Sequence, residues 1–235
     1  MLQRIENGTL LKEQLATQLR AEIIDGRLRG GQPVVEATWA REFGVAQASV
    51  REAINLLISK GFLVKSLGRS ARVPQYSEED LVKIYQVRAS LEGLAARLAA
   101  EAGADLSELK IALKRMEEAS AASDINCLIE ADLAFHLSLA RCSRNPLLLE
   151  MLERLLSPLF TFVMLRVRET NETTASWAPD LPRHAQMIYM MEHSSPALAA
   201  QFVEDCVHRF KSSADAVWSP AIQRKARKRP LINAQ

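Results

Sequence analysis

Between Leu11 and Arg72 the apolar residues fall into three stretches of helical spacing, each closed by a glycine, and then into two short β-like runs. Leu15, Leu19, Ile23 and Ile24 recur at three- to four-residue intervals until Gly26 stops the run. A Gly/Pro loop, LRGGQP, leads to a short helix from about Glu36 to Phe43. Gly44 then makes a tight turn. A third helix runs from about Gln47 to Lys60, with Val50, Ile54 and Leu57 on its buried face and Gly61 at its C′ position. The runs FLVKS and ARVPQ, joined by Leu67-Gly68-Arg69-Ser70, read as a hairpin.

Helix, helix, turn, helix, hairpin is the order of a winged helix-turn-helix. Beyond Tyr76 the strand signals stop. Ser77 followed by Glu78, Glu79 and Asp80 is an N-cap with an acidic first turn, and it opens a long helix to about Ala102. Further helical patterns cover about Leu106–Ala121, Ile125–Cys142, Leu147–Glu169, Pro182–Glu192 and Ala197–Trp218. Six helices with short connections predict an all-α bundle. The expected fold class is therefore mainly α. A winged helix-turn-helix domain over residues 1–76 is followed by a helical domain over 77–220 and a basic, disordered tail over 221–235.

Charge follows the same division. Residues 1–76 carry a net +4, residues 77–220 a net −7 and the last fifteen a net +5. A basic front on an acidic body suits a nucleic-acid-binding module joined to something else. Apolar residues at 48% and charged residues at 25% exclude a disordered or collagen-like chain. The apolar stretch around Leu147–Val167 is interrupted by Glu150, Glu153 and Arg154, so it does not read as a membrane span. The N-terminal residues lack a signal-peptide core, and three widely spaced cysteines suit a reducing compartment. A cytoplasmic protein is expected.

A helix-turn-helix sets the start of its second helix against base edges in the major groove, which here means Ala46, Gln47, Ala48, Ser49 and Arg51. The run Ser49-Val50-Arg51-Glu52-Ala53, with Gly61-Phe62-Leu63 after it and Trp39-Ala40…Phe43-Gly44-Val45 before it, resembles the DNA-binding domain of GntR-family bacterial transcription factors. The resemblance implies DNA contacts by Gln47, Ser49 and Arg51, with Arg69 at the hairpin tip entering the minor groove. The alternative for Arg51 is a salt bridge to a neighbouring glutamate. Family members commonly carry a basic residue early in the preceding helix and Ser-Arg just before the recognition helix. Ala37, Ala46 and Gln47 stand there instead. The operator should therefore differ from the guanine-rich one of the fatty-acid branch, because arginine is the side chain best suited to guanine.

In the rear half, Tyr85-Gln86-Val87-Arg88-Ala89-Ser90-Leu91-Glu92, then Asp132-Leu133-Ala134-Phe135-His136, then Ser143-Arg144-Asn145-Pro146-Leu147, resembles the effector domain of the FadR branch, in its six-helix, VanR-like (FCD-type) version. Asp132 and His136 are four apart and share one helix face, where a carboxylate and an imidazole need partners. The resemblance makes them two ligands of a divalent metal and His184 a third. An ungapped alignment puts the fourth, usually histidine, at Cys206. His208 lies about 200° further round the same helix, on a charged face. Asp132, His136, His184 and Cys206 suit Zn²⁺, with nickel or manganese as alternatives, while Cys206 as plain core filling stays open.

In such domains a small organic acid completes the metal sphere. Arg88 is the candidate to grip its carboxylate, the alternative being a pair with Glu92 one turn on. Together these features imply a ligand-responsive regulator, a repressor, acting as a homodimer on a pseudo-palindromic operator of double-stranded DNA. No catalytic residue is assigned. The competing class is a metal-dependent hydrolase.

Overall fold

The computed structural model describes residues 11–66, 68–170 and 172–217. They divide into two units. One holds the described residues up to Gln75 together with 156–165, and the other holds 76–155 and those from Arg166 onward.

The first unit contains α1 (Leu11–Ile24), β1 (Pro33–Val34), α2 (Glu36–Phe43), α3 (Gln47–Ser59) and β2 (Ala71–Arg72). Helix α1 packs along α3 through Leu15, Leu19, Ile23, Val50, Ile54 and Leu57, all almost wholly buried, and Trp39 of α2 joins them. Gly44 ends α2 at φ 66°, in the left-handed region that a side chain would resist. Gly61 does the same at φ 75°. There the N–H groups of Phe62 and Gly61 donate to the carbonyls of Leu57 and Ile58, which satisfies the last turn of α3.

The sheet differs from the expected simple hairpin. Pro33-Val34, read from sequence as loop, is a strand that pairs antiparallel with Ala71-Arg72, while the FLVKS run contributes a single bridge from Val64 to Arg72. The burial of Val34 and Ala71 explains the pairing, since together they close the core under α1. Proline is tolerated as the first residue of an edge strand, where no N–H is required. Leu67, within the expected turn, lies outside the described residues.

The second unit is helical: α4 (Glu78–Glu101), α5 (Ser107–Ala121), α6 (Ile125–Cys142), α7 (Pro146–Thr170, except its residues 156–165, which belong to the first unit), α8 (Leu181–His193) and α9 (Pro196–Val217). Two short 3-10 turns, Thr174–Ser176 and Ala178–Asp180, precede α8. Ser77 opens α4 with a reciprocal cap. Its Oγ accepts from Asp80 N–H at 3.1 Å, and its own N–H donates to Asp80 Oδ2 at 2.9 Å. Asp124 caps α6 by accepting from Cys127 N–H at 2.9 Å. Helix α4 lies along α9, close enough that a Cβ on Gly93 would fall 2.4–2.5 Å from the Glu204 side chain. Helix α6 packs on α4 and α5, and α8 on α9 and α5. Among the described residues no helix is long and apolar enough to cross a membrane. The expected tail, 221–235, lies outside the described residues.

Candidate metal centre and nucleic-acid interface

Asp132 and His136 occupy successive turns of α6, and His184 the first turns of α8. All three are buried, at 4%, 3% and 6% exposure. Each imidazole has an oxygen close to its Nδ1. That of His184 lies 3.0 Å from the carbonyl oxygen of Asp180, four residues earlier, and that of His136 lies 2.8 Å from Glu92 Oε2 of α4. Oriented in this way, both rings turn Nε2 toward one atom, Asp132 Oδ1, at 3.2 Å from His136 and 3.0 Å from His184. Phe135 packs edge-on to both rings, which also meet each other edge-on with centroids 5.5 Å apart. The three ligand atoms all lie within 4.8 Å of one another. Outer partners on Nδ1 with Nε2 converging is how a protein prepares histidines for a cation.

The electrostatics agree. Burial would raise the Asp132 pKa, yet hydrogen bonds and charge from His136 and His184 outweigh it and hold the carboxyl well below its usual range. Burial would lower His136, and Arg88 opposes its charge too, but Glu92 and Asp132 raise it on balance. Arg88 supplies positive charge on one side, its Nη2 2.7 Å from His136 Nε2, and the His184 Nε2 facing Asp132 Oδ1 at 3.0 Å suits a proton or a metal ion between them.

Arg88 is buried in α4 and lines the same cavity. Its Nε lies 2.6 Å from Glu92 Oε1 and its Nη2 lies 2.7 Å from His136 Nε2. Arg88 thus makes the pair with Glu92 while still facing the cavity. Val87 beside it is half exposed, and the inward face of α4 includes Leu81, Tyr85, Arg88 and Glu92. Glu92 is driven to about 2: burial pushes it up, but Arg88 and His136 more than reverse that.

Cys206 of α9 is buried and lines the cavity, whereas His208 is exposed. The structure brings Cys206 to the site but not into the cluster of three ligand atoms. Burial pushes its thiol up to about 11, so in this arrangement it carries its proton at neutral pH. Two contributors were not singled out from sequence. Asp180 orients His184, and its own side chain pairs with Arg183, which also lines the cavity. Their spacing, Asp180 four before His184, is the one local signal that could have found them.

In the first unit, Gln47 and Arg51 are exposed on the opening turns of α3 and Ser49 is half buried. Ala46 precedes them with no side-chain cap. Arg51 pairs with Glu36, the first residue of α2. Its Nε lies 3.1 Å and 3.0 Å from the two carboxylate oxygens, and its Nη2 lies 2.9 Å from Oε2. Gln47 Nε2 donates to the same Oε2 at 3.1 Å. Arg69 is exposed in the turn before β2, its N–H donating to Ser66 O at 3.1 Å.

The two stretches of chain that carry these residues match a known pair of domains. The FCD domain matches residues 83–209, more than half of the chain, and the bacterial regulatory proteins of the gntR family match residues 11–73. A probable D-xylose utilization operon transcriptional repressor from Paenarthrobacter nicotinovorans is 35% identical over 145 residues. The matched region spans 60% of this chain and 64% of that relative, less than two thirds of its length. The Glc operon transcriptional activator of Escherichia coli (strain K12) is 27% identical over 223 residues, 86% of this chain and 87% of that one. A GntR transcriptional regulator from Rhodococcus sp. RHA1 has the same fold, with a TM-score of 0.67 at 23% identity over 88% of this chain and 98% of that one. The chain belongs to the GntR family of bacterial transcriptional regulators, with a helix-turn-helix domain in front and an FCD effector domain behind.

Proposed function

We propose that this chain is a cytoplasmic repressor whose affinity for a pseudo-palindromic DNA operator is set by a small organic acid bound at a divalent metal in the helical unit. The observation that carries the reading is the convergence of His136 Nε2 and His184 Nε2 on Asp132 Oδ1, with each Nδ1 tied to an acceptor. This donor set fits a metal ion. Asp132, His136 and His184 would hold it, and Cys206, at the edge of the same cavity, is the candidate fourth ligand in place of His208. Two imidazoles, a carboxylate and a thiol in reach favour zinc over nickel or manganese.

The metal's contribution would be a positive centre to anchor a carboxylate. The cavity is small, about 20 Å³, room for roughly one water beyond the ligand atoms. Seating even an acid of few carbons beside a metal there would require the lining side chains, Arg88 among them, to move apart. Arg88 is the effector-binding candidate, and to grip a carboxylate as a fork it would exchange its present contact with His136 for the acid. Gln47, Ser49, Arg51 and Arg69 are the DNA-contacting set. In a homodimer two recognition helices would sit about 34 Å apart, and the effector would shift the population between geometries that fit the operator well and badly.

Elemental analysis of the purified chain, with zinc titration of Cys206→Ala and His208→Ala, tests the metal. Stoichiometric metal is expected, weakened in Cys206→Ala and unchanged in His208→Ala. Cobalt(II) should show a sulfur-to-metal charge-transfer band that disappears in Cys206→Ala. Loss of metal only in His208→Ala overturns the fourth ligand. A natural chain that neither holds nor takes up metal overturns the site. Operator release by short carboxylic acids, read by gel shift, tests the effector, and acids without effect on DNA affinity overturn that part.

A further inference from the structure

Glu36 is the residue around which both exposed readers of α3 are arranged, although it belongs to α2. Its carboxylate accepts from Arg51 through Nε and Nη2 and from Gln47 through Nε2, all at 2.9–3.1 Å. We propose that Glu36 is a specificity-determining residue: it fixes the direction in which Arg51 and Gln47 face DNA and cancels the charge that would bind phosphate without regard to sequence. This rests on the DNA-reading role given above to Arg51 and Gln47.

The donor count supports it. A guanidinium has five N–H groups on two usable edges. Glu36 takes the Nε/Nη2 edge, which leaves Nη1 and the second N–H of Nη2 for DNA, the pair that matches guanine O6 and N7. Gln47 gives one amide N–H to Glu36, and that fixes which end of the amide is the carbonyl. Oε1 is left as the acceptor for an exocyclic amine, adenine N6 or cytosine N4, with one N–H still to give.

The charge argument is separate. Arg51 drives the Glu36 pKa below its ordinary value, so the carboxylate is ionised at neutral pH and the pair is neutral as a unit. Phosphate attracts net charge, whereas base edges select directed donors. A neutralised arginine held by its inner edge therefore loses non-specific affinity and keeps its power to discriminate. Side chains that Glu36 already orders also have less freedom to lose when DNA binds.

The test uses the full chain and duplexes selected by it from a random pool. Affinity for the selected duplex and for a scrambled one is measured over a salt series for the natural chain, Glu36→Gln and Glu36→Asp. Glu36→Gln should bind the scrambled duplex more tightly. Its slope of log affinity against log salt should steepen by about 0.9, the effect of one more phosphate contact. The ratio of selected to scrambled affinity should fall about tenfold, and selection with this variant should relax at the position Gln47 reads. Glu36→Asp keeps the charge but is too short to reach both partners, so it should lose the ratio without steepening the slope. An unchanged ratio and slope in Glu36→Gln overturns the proposal, as does an equal loss on both duplexes, which is the mark of a merely structural role. If the natural chain selects no sequence, the DNA-reading role of α3 falls first and this proposal with it.

Discussion

Replacing Glu92 by glutamine should destabilise the helical unit. Its side chain is 0% exposed and Arg88 beside it 4%, with 2.6 Å between Nε and Oε1. Two routes give the magnitude. The carboxyl sits at about 2 rather than 4.5, which corresponds to roughly 3 kcal/mol in favour of the ionised form at 1.36 kcal/mol per pH unit. Independently, breaking a buried ion pair by removing one partner costs about 3–5 kcal/mol, because the other charge is left dry and alone. For a unit of this size about 3 kcal/mol lowers the melting temperature by roughly 10 °C.

The pH dependence has a definite sign. Glu92 is depressed in the fold, so its contribution is fully present above about 4.5 and disappears as pH falls from there toward 2. The assay is urea unfolding followed by helical circular dichroism at pH 7 and again near pH 3. Glu92→Gln should lose about 3 kcal/mol at pH 7 and clearly less near pH 3, where the natural chain has itself lost part of the pair. The double variant Arg88→Met with Glu92→Leu should be more stable than Glu92→Gln alone, because the guanidinium is removed together with its counter-charge. The reasoning is refuted if Glu92→Gln stays within about 0.5 kcal/mol of the natural chain at pH 7, less than any account of an orphaned buried cation allows. It is refuted equally if the double variant loses the sum of its parts.

Arg51→Ala should cost about 1–3 kcal/mol on the selected operator, measured by fluorescence anisotropy, and equal affinity would remove Arg51 from the reading set. Gln47→Arg should move preference toward guanine at one position per half-site, and a selection returning the natural operator would contradict this. Zinc affinity, followed by calorimetry, should fall as pH is lowered, since protons compete for His136, whose pKa is raised, and for Cys206, whose thiol burial pushes up. A pH-independent constant would mean that the metal uses other ligands. Residues 77–220 alone should sediment as a dimer, because a symmetric operator needs two recognition helices held by something other than DNA. A monomer from this segment beside a dimeric full chain would place the interface elsewhere.

What sequence could tell about this fold depended on distance along the chain. The ends of α2, α3, α4 and α6 were readable because Gly44, Gly61, Ser77 and Asp124 act on their immediate neighbours. Strand β1 was not, because two residues give no alternation and the partners that make Val34 a strand residue, Ala71 and Arg72, lie some forty positions away. The site divides in the same way. Asp132 and His136 share a face by helical repeat alone, and His184 came from family resemblance. The acceptors that aim the imidazoles were not visible: Glu92 reaches His136 only because α4 packs on α6.

Cys206 shows both halves of this rule at once. Helical repeat placed it on the face of Ala199 and Val203, and all three are buried while His208 is exposed. Facing is local. Distance across the bundle is set by how closely neighbouring helices approach, and that depends on contacts such as Gly93 against Glu204. A cysteine side chain is short, and on this backbone the thiol lines the cavity while Asp132, His136 and His184 converge without it. For Cys206 to join them, binding of the ion must draw α9 inward or release the thiol proton, and the test on Cys206→Ala measures whether it does.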